Sequence, residues 1–174
     1  MAGLYLMANG PMPTTAAQAV VTTGTAIKTM LQVKLGASTN QTARVVEWGC
    51  SFDGSAAATP GKIELLTTGA IKATITEFVA ADIINLTDPN AAAVTDDFPF
   101  AFTAAGDESG YTATAEGSIT ATRMFDVQLV SPTNQYVKQF PLGREPVFRH
   151  DEYLRIRMTF GAAVNAYCYL IIEV

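Results

Sequence analysis

Histidine occurs once in this 174-residue chain, as His150, and tryptophan once, as Trp48. A nucleophilic site built on a histidine base must therefore use that one imidazole, and no second histidine or C-x-x-C pair is present to complete a metal site. Two cysteines, Cys50 and Cys168, are too few for a disulfide scaffold. Charge is scarce as well: 16% of residues are ionisable Asp, Glu, Lys or Arg, and the net charge is -5. No global basic field exists to hold nucleic acid. No apolar run approaches a membrane span, and "MAGLYLMANGPMP" lacks the positive n-region and long apolar run of a signal peptide. The expectation is a protein made and folded in the cytoplasm, with no cofactor and with neither a membrane nor a nucleic acid as partner.

What is present is alternation. "AIKTMLQVKL" sets Ile27, Leu31, Val33 and Leu35 against Lys28, Gln32 and Lys34, which is the period of a half-buried strand. "RVVEWGCSF" places Val46, Trp48, Cys50 and Phe52 on one face. "KIELLTT", "IKATITEF", "YTATAEG", "ITATRMFDVQLVSP" and "YVKQFPL" continue the pattern. In "YLRIRMTF" Leu154, Ile156, Met158 and Phe160 face inward, with Arg155 and Arg157 outward. "AVNAYCYLIIEV" puts Val164, Ala166, Cys168, Leu170 and Ile172 on one face and Tyr167 and Tyr169 on the other. Only "TEFVAADIINL" suggests a short helical turn, through Phe78, Ile83 and Leu86. Eight or nine strands punctuated by Gly and Pro predict an all-β, antiparallel β-sandwich over residues 25–174. A jelly roll of about eight strands leads, with an immunoglobulin-like sandwich second.

Two segments fit such a sandwich poorly. Residues 1–24 carry no charge and two prolines, and read either as a disordered end or as an extended N-terminal arm that orders against a neighbour, the arm being the leading reading. Deleting most of it is expected to leave a folded domain. The stretch "NLTDPNAAAVTDDFPFAFTAAGDESG" has no firm strand pattern, and its Phe98, Phe100 and Phe102 belong either to the core or to a subunit contact.

Chemistry is hard to assemble from these residues. His150 beside Asp151 reads as a loop histidine next to a carboxylate, because no nucleophile motif accompanies it. The doublets Asp96-Asp97 and Asp107-Glu108 point apart on an extended chain and make no natural acid/base pair. "TDPN" and "DGS" lack the spacing of a calcium loop. Cys50 and Cys168 read as buried, reduced thiols, and pairing them would require adjacent strands. Arg155 and Arg157 leave the strand on one face, where they could meet an acidic strip on another subunit or plain water.

Two stretches, "RVVEWGCSFDGSAAATPGKIELL" and "PLGREPVFRHDEYLRIRMTFGAAVNAYCYLIIEV", resemble tailed-bacteriophage virion structural proteins, especially small jelly-roll capsid decoration (cement or minor capsid) proteins. The resemblance covers about a third of the chain and carries no residue-by-residue site. It implies a homotrimer on the capsid surface, bound to the major capsid protein or other virion proteins, without catalysis. Candidate subunit-interface residues are Arg155, Arg157, Tyr167, Tyr169, Phe98 and Phe100. A tail or baseplate component and a carbohydrate- or receptor-binding sandwich module are the alternatives, with an enzyme third.

Overall fold

The computed structural model describes residues 3–36, 41–53, 59–88, 94–95, 99–102 and 108–174. Within them the chain is an antiparallel β-sandwich. Its strands are β1 (Leu4–Ala8), β2 (Val21–Thr22), β3 (Lys28–Lys34), β4 (Thr42–Phe52), β5 (Gly61–Thr67), β6 (Thr74–Glu77), β7 (Ile84–Asn85), β8 (Gly110–Ala115), β9 (Arg123–Val130), β10 (Tyr136–Gln139), β11 (Val147–Arg149), β12 (Tyr153–Thr159) and β13 (Asn165–Glu173). One sheet runs β10-β4-β13-β1-β7, with β11 also on β4 and β2 also on β13. The other runs β6-β8-β3-β12-β5-β9. Ala80–Asp82 form a single 3-10 turn where the sequence suggests one. Among the described residues no helix is long and apolar enough to cross a membrane.

The core lies between the sheets, and alternation predicts much of it. Leu31, Val33 and Leu35 of the β3 segment, Leu154, Ile156 and Met158 of β12, and Ala166, Cys168, Leu170 and Ile172 of β13 are all fully buried. Each large aliphatic side chain removed from water in this way stabilises the fold by about 1.5–3 kcal/mol before chain entropy is counted. Trp48 stands among them with no exposed surface.

Register shifts break strict alternation at four of the described strand pairs, one of them between β6 and β8, and three change which side chains face the core. In β4, Ile171 pairs with Glu47 and Ile172 with Val45, so Val46 is the extra residue and Val45 is the one buried. In β3, Met30 is the extra residue between the pairs Ile156–Leu31 and Arg157–Thr29, and Ile27 ends up exposed. In β9, Phe125 is skipped between Leu65–Asp126 and Leu66–Met124.

The expected N-terminal arm over residues 1–24 is corrected in part. Leu4–Ala8 is an interior strand of its sheet, hydrogen-bonded to β13 on one side and β7 on the other, with Met7 and Ala8 buried. A charge-free "LYLMA" suits a strand flanked on both sides, where a charge would have to be desolvated. Asn9 extends the pairing: its side chain donates to the Ala166 carbonyl and accepts from the Cys168 N–H. Residues 11–20 form an irregular surface stretch, mostly exposed, before Val21–Thr22 rejoins β13.

Candidate interaction surface

Strand β9 is inside out. Asp126 faces the core, paired with Leu65, and it is nearly buried. The apolar residues Met124, Val127 and Leu129 face solvent, at 45%, 44% and 73% exposure. The Phe125 bulge is what brings Met124 onto the same outer face as Val127 and Leu129, opposite Leu66, Glu64 and Lys62 of β5.

Asp126 earns its inward position by hydrogen bonding. Its carboxylate accepts from Tyr136 Oη at 2.7 Å, Trp48 Nε1 at 3.2 Å and Gln128 Nε2 at 3.3 Å, and lies 3.0 Å from Lys138 Nζ. Burial alone would raise its pKa, but the bonds from Tyr136, Lys138 and Gln128 outweigh it and hold the carboxyl below its ordinary value. The same burial, with the hydrogen bond to Asp126, pushes the Tyr136 phenol well above its usual range. Tyr136 and Lys138 belong to β10, the edge strand of the other sheet, and Trp48 to β4. One carboxylate thus ties the two sheets together along this flank and fixes which side of β9 looks outward.

The other sheet also exposes apolar side chains, on its own outer face. Val137 of β10 stands opposite Gly49 and is exposed. Between β10 and β11 the chain turns at 141–144, with the Arg144 N–H donating to the Pro141 carbonyl. Gly143 takes φ 79°, the left-handed conformation that the third position of this turn demands. Leu142 is carried at its tip, 97% exposed. Beneath it, Val46, Gln139, Phe140, Pro141 and Glu145 line a shallow hollow of about 340 Å³. Val147 on β11, opposite Arg44, is exposed as well.

Tyr167 and Tyr169 lie on the outer face of the β4–β13–β1 sheet, their ring centroids 6.3 Å apart. Tyr169 covers Gly49, where an added Cβ would come within 2.8 Å of the ring, and its hydroxyl donates to Glu47 at 2.6 Å. Burial, then the Glu47 bond, raise the Tyr169 pKa. Ile171, Leu6 and Ile84 follow in the next cross-strand row. This face combines half-buried aromatic and aliphatic side chains with few charges.

The remaining candidates are placed elsewhere. Arg155 does leave β12 on the face away from the core, but that face is roofed. Its guanidinium donates to the carbonyl of Glu116 at 3.0 Å and to the Ile71 carbonyl, and pairs with the Glu116 carboxylate at 3.3 Å, leaving the side chain fully buried. Burial lowers its pKa to about 10 despite the nearby Glu116. Arg157 is paired with Glu64 at 3.1 Å. Arg155, expected to meet another subunit or water, is instead enclosed by its own chain, whereas Arg157 is partnered within the chain and keeps part of its surface exposed. Phe100 is also a core residue, bridged to Leu35 and packed edge-on against Tyr5 at 5.2 Å. Phe98, Asp96, Asp97 and Asp107 lie outside the described residues. His150 lines a hollow with Gln41, Thr42 and Arg149, whereas Asp151 lines a different one with Arg123, Arg149 and Glu152. The two hollows share Arg149. Among the described residues no group of three or more His, Cys, Asp or Glu side chains is placed to hold a metal ion.

Val127, Leu129, Val137 and Leu142 are the surface residues that alternation misses, because it assigns the apolar side of each strand to the core. The one available signal is Asp126, flanked by Phe125 and Val127 and followed by Gln128: two polar groups able to satisfy each other on the same side of a strand. No protein-family model, curated protein or solved structure matches the chain.

Proposed function

We propose that the chain is a structural subunit of a bacteriophage virion, of the capsid decoration type, that binds the shell and neighbouring copies of itself through apolar surface. The observation that carries this reading is the reversed strand β9: a carboxylate spends its hydrogen bonds on the core side while Val127 and Leu129 face outward. Outward aliphatic rows of this kind are explained by a partner surface that buries them. The tyrosine face of β13 offers a second contact, suited to association of copies because tyrosine gives large, rigid contact area with a polar tip. A charge-poor composition agrees with a life packed against neighbours.

The strand order supports the jelly-roll part of the reading. Taking β1, β3, β4, β5, β9, β10, β12 and β13 as strands one to eight, one sheet runs six-three-eight-one and the other two-seven-four-five. This order supports the reading because a jelly roll, two interlocked Greek keys, would distribute its eight strands between two sheets in the same way. Residues 68–122 are then an insertion whose β7 extends the sheet beyond β1 and whose β8 and β6 extend the other beyond β3. Among the described residues the flank carrying β9 and β10 has no such extension. The carbohydrate-binding alternative loses its one tryptophan, because Trp48 is enclosed in the core and cannot stack on a sugar.

Quantitative mass spectrometry of purified particles tests the reading, with hundreds of copies per particle expected. A few copies would shift it to the tail, and absence from particles would overturn it. The double substitution V127K/L129E is expected to leave the isolated subunit folded and to lower its abundance on particles at least tenfold. Unchanged incorporation would remove β9 from the contact.

A further inference from the structure

The two thiols of the chain face each other. Cys50 on β4 and Cys168 on β13 are direct cross-strand partners, both free and both on the core side of the sheet. The hydrogen bonds around Cys168 define the kind of pair. Its N–H donates to Asn9 Oδ1 at 2.9 Å, and its carbonyl accepts from the Asn9 N–H at 3.0 Å. Both backbone polar groups of Cys168 are therefore turned toward the β1 side, away from β4. Cys50 and Cys168 occupy a non-hydrogen-bonded position of the ladder, the narrow one, where Cα atoms lie about 4.5 Å apart and side chains are closest. A disulfide spans Cα separations of about 4.4–6.8 Å. The pair falls within that window without any rearrangement of strand order.

We propose that Cys50 and Cys168 form a disulfide site, closed by a small-molecule disulfide to give a bond that staples β4 to β13. The step balances as a thiol–disulfide exchange. The Cys50 thiolate, having lost its proton to solvent, attacks one sulfur of the small disulfide and expels the other half as a thiolate, leaving a mixed disulfide on Cys50. The Cys168 thiolate, its proton likewise lost, attacks the Cys50 sulfur and expels the second half. The chain gives up two protons and two electrons, and the small disulfide becomes two thiols. Cys50 reacts first because it is the more accessible. It keeps 2% exposure against 0% for Cys168, and it lies opposite Tyr136 on the four-residue edge strand β10, whereas Cys168 is enclosed between β4 and β1. Burial pushes the Cys50 thiol up to about 12, so closure is slow at neutral pH and accelerates with pH through the whole alkaline range. An exposed thiol would level off near pH 8.5.

The test is incubation of the full-length folded chain with glutathione disulfide, without denaturant and then in urea below the unfolding transition. The expected product is a monomer two hydrogens lighter, whose titratable thiols after unfolding fall from two to none. Its rate should rise about tenfold per pH unit from pH 7 to 9. Closing so long a loop should lower the unfolding equilibrium constant about a thousand-fold, reversed by dithiothreitol. C50S and C168S should each retain one thiol or one glutathione adduct and show no two-hydrogen loss. Two thiols persisting in the wild type even in sub-transition urea would overturn the proposal. So would a glutathione adduct on Cys50 that never resolves, or a disulfide formed only between chains.

Discussion

Arg155 and Glu116 form an ion pair, 3.3 Å between Nη1 and Oε2, in which the arginine side chain is entirely buried although it points away from the sandwich core. Glu116 also accepts from the N–H and hydroxyl of Thr29, at 2.5 and 2.6 Å, so it closes the far side of the same network. Next to it Gln32 accepts from the Ala73 N–H and donates to the Glu108 carbonyl. The segments around 71–73 and 116 thus roof the outer face of β3 and β12 by way of polar side chains.

Removing the carboxylate leaves a desolvated guanidinium without its counter-charge. E116A is expected to destabilise the fold by about 3 kcal/mol, measured by urea denaturation. R155M should cost less, because Glu116 keeps partial access to water and the methionine fills part of the space. If E116A unfolds at the wild-type midpoint, the network is not holding the roof.

The pair also shows what the sequence could and could not convey. Period two in "YLRIRMTF" correctly separates Leu154, Ile156 and Met158 from Arg155 and Arg157. It cannot tell whether the second face meets water, another subunit or a loop of the same chain. The covering residues, Ile71 and Glu116, are 84 and 39 positions away and carry no local signature of their role. Bulges are the other source of misreading. One extra residue at Val46, Met30 or Phe125 inverts everything beyond it, so Ile27 becomes exposed and Val45 buried. The reversed face of β9 is illegible for a related reason: alternation by itself favours the apolar side inward, and only the three-dimensional meeting of Asp126 with Trp48, Tyr136 and Lys138 reverses the choice.

Asp126 should make the fold acid-sensitive. Its pKa is depressed in the folded state, so its contribution is fully present above the unfolded value of about 4 and is lost as pH falls through the folded value. D126N keeps an acceptor for Tyr136 but loses the charge facing Lys138, and should cost about 2 kcal/mol at pH 7. Wild type and D126N should then converge below pH 4, with Trp48 fluorescence following the transition. Parallel stability curves down to pH 2 would show that this carboxylate contributes nothing pH-dependent.

Gly49 is held to glycine by Tyr169 and by the backbone of β10. A Cβ there would sit 2.8 Å from the Tyr169 ring and 2.9 Å from the Tyr136 carbonyl oxygen, and the second contact cannot be relieved by turning a side chain. G49A is expected to cost about 1–3 kcal/mol by overpacking. Y169F, which loses only the hydrogen bond to Glu47, should cost about 1 kcal/mol. Equal, negligible effects in thermal melts would mean that the tyrosine does not rest on the glycine.

Deletions within the first 24 residues should divide sharply at Gly10. Removing residues 1–10 takes away an interior strand, the buried Met7, and the Asn9 side chain that satisfies Cys168 N–H and the Ala166 carbonyl. Losing Met7 side-chain packing alone would cost about 2–5 kcal/mol, a large part of the 5–15 kcal/mol that holds a domain together. That truncation should yield no cooperative unfolding transition. N9A, a milder probe of the same strand, should cost about 2–3 kcal/mol because two buried backbone groups lose their partner. Replacing residues 13–19 with a shorter glycine-serine link should cost less than about 1 kcal/mol, since those residues are mostly exposed and loop length enters only logarithmically. If the 1–10 truncation instead melts cooperatively near the wild-type temperature, β1 is dispensable and the whole N-terminal segment is free to act as an arm.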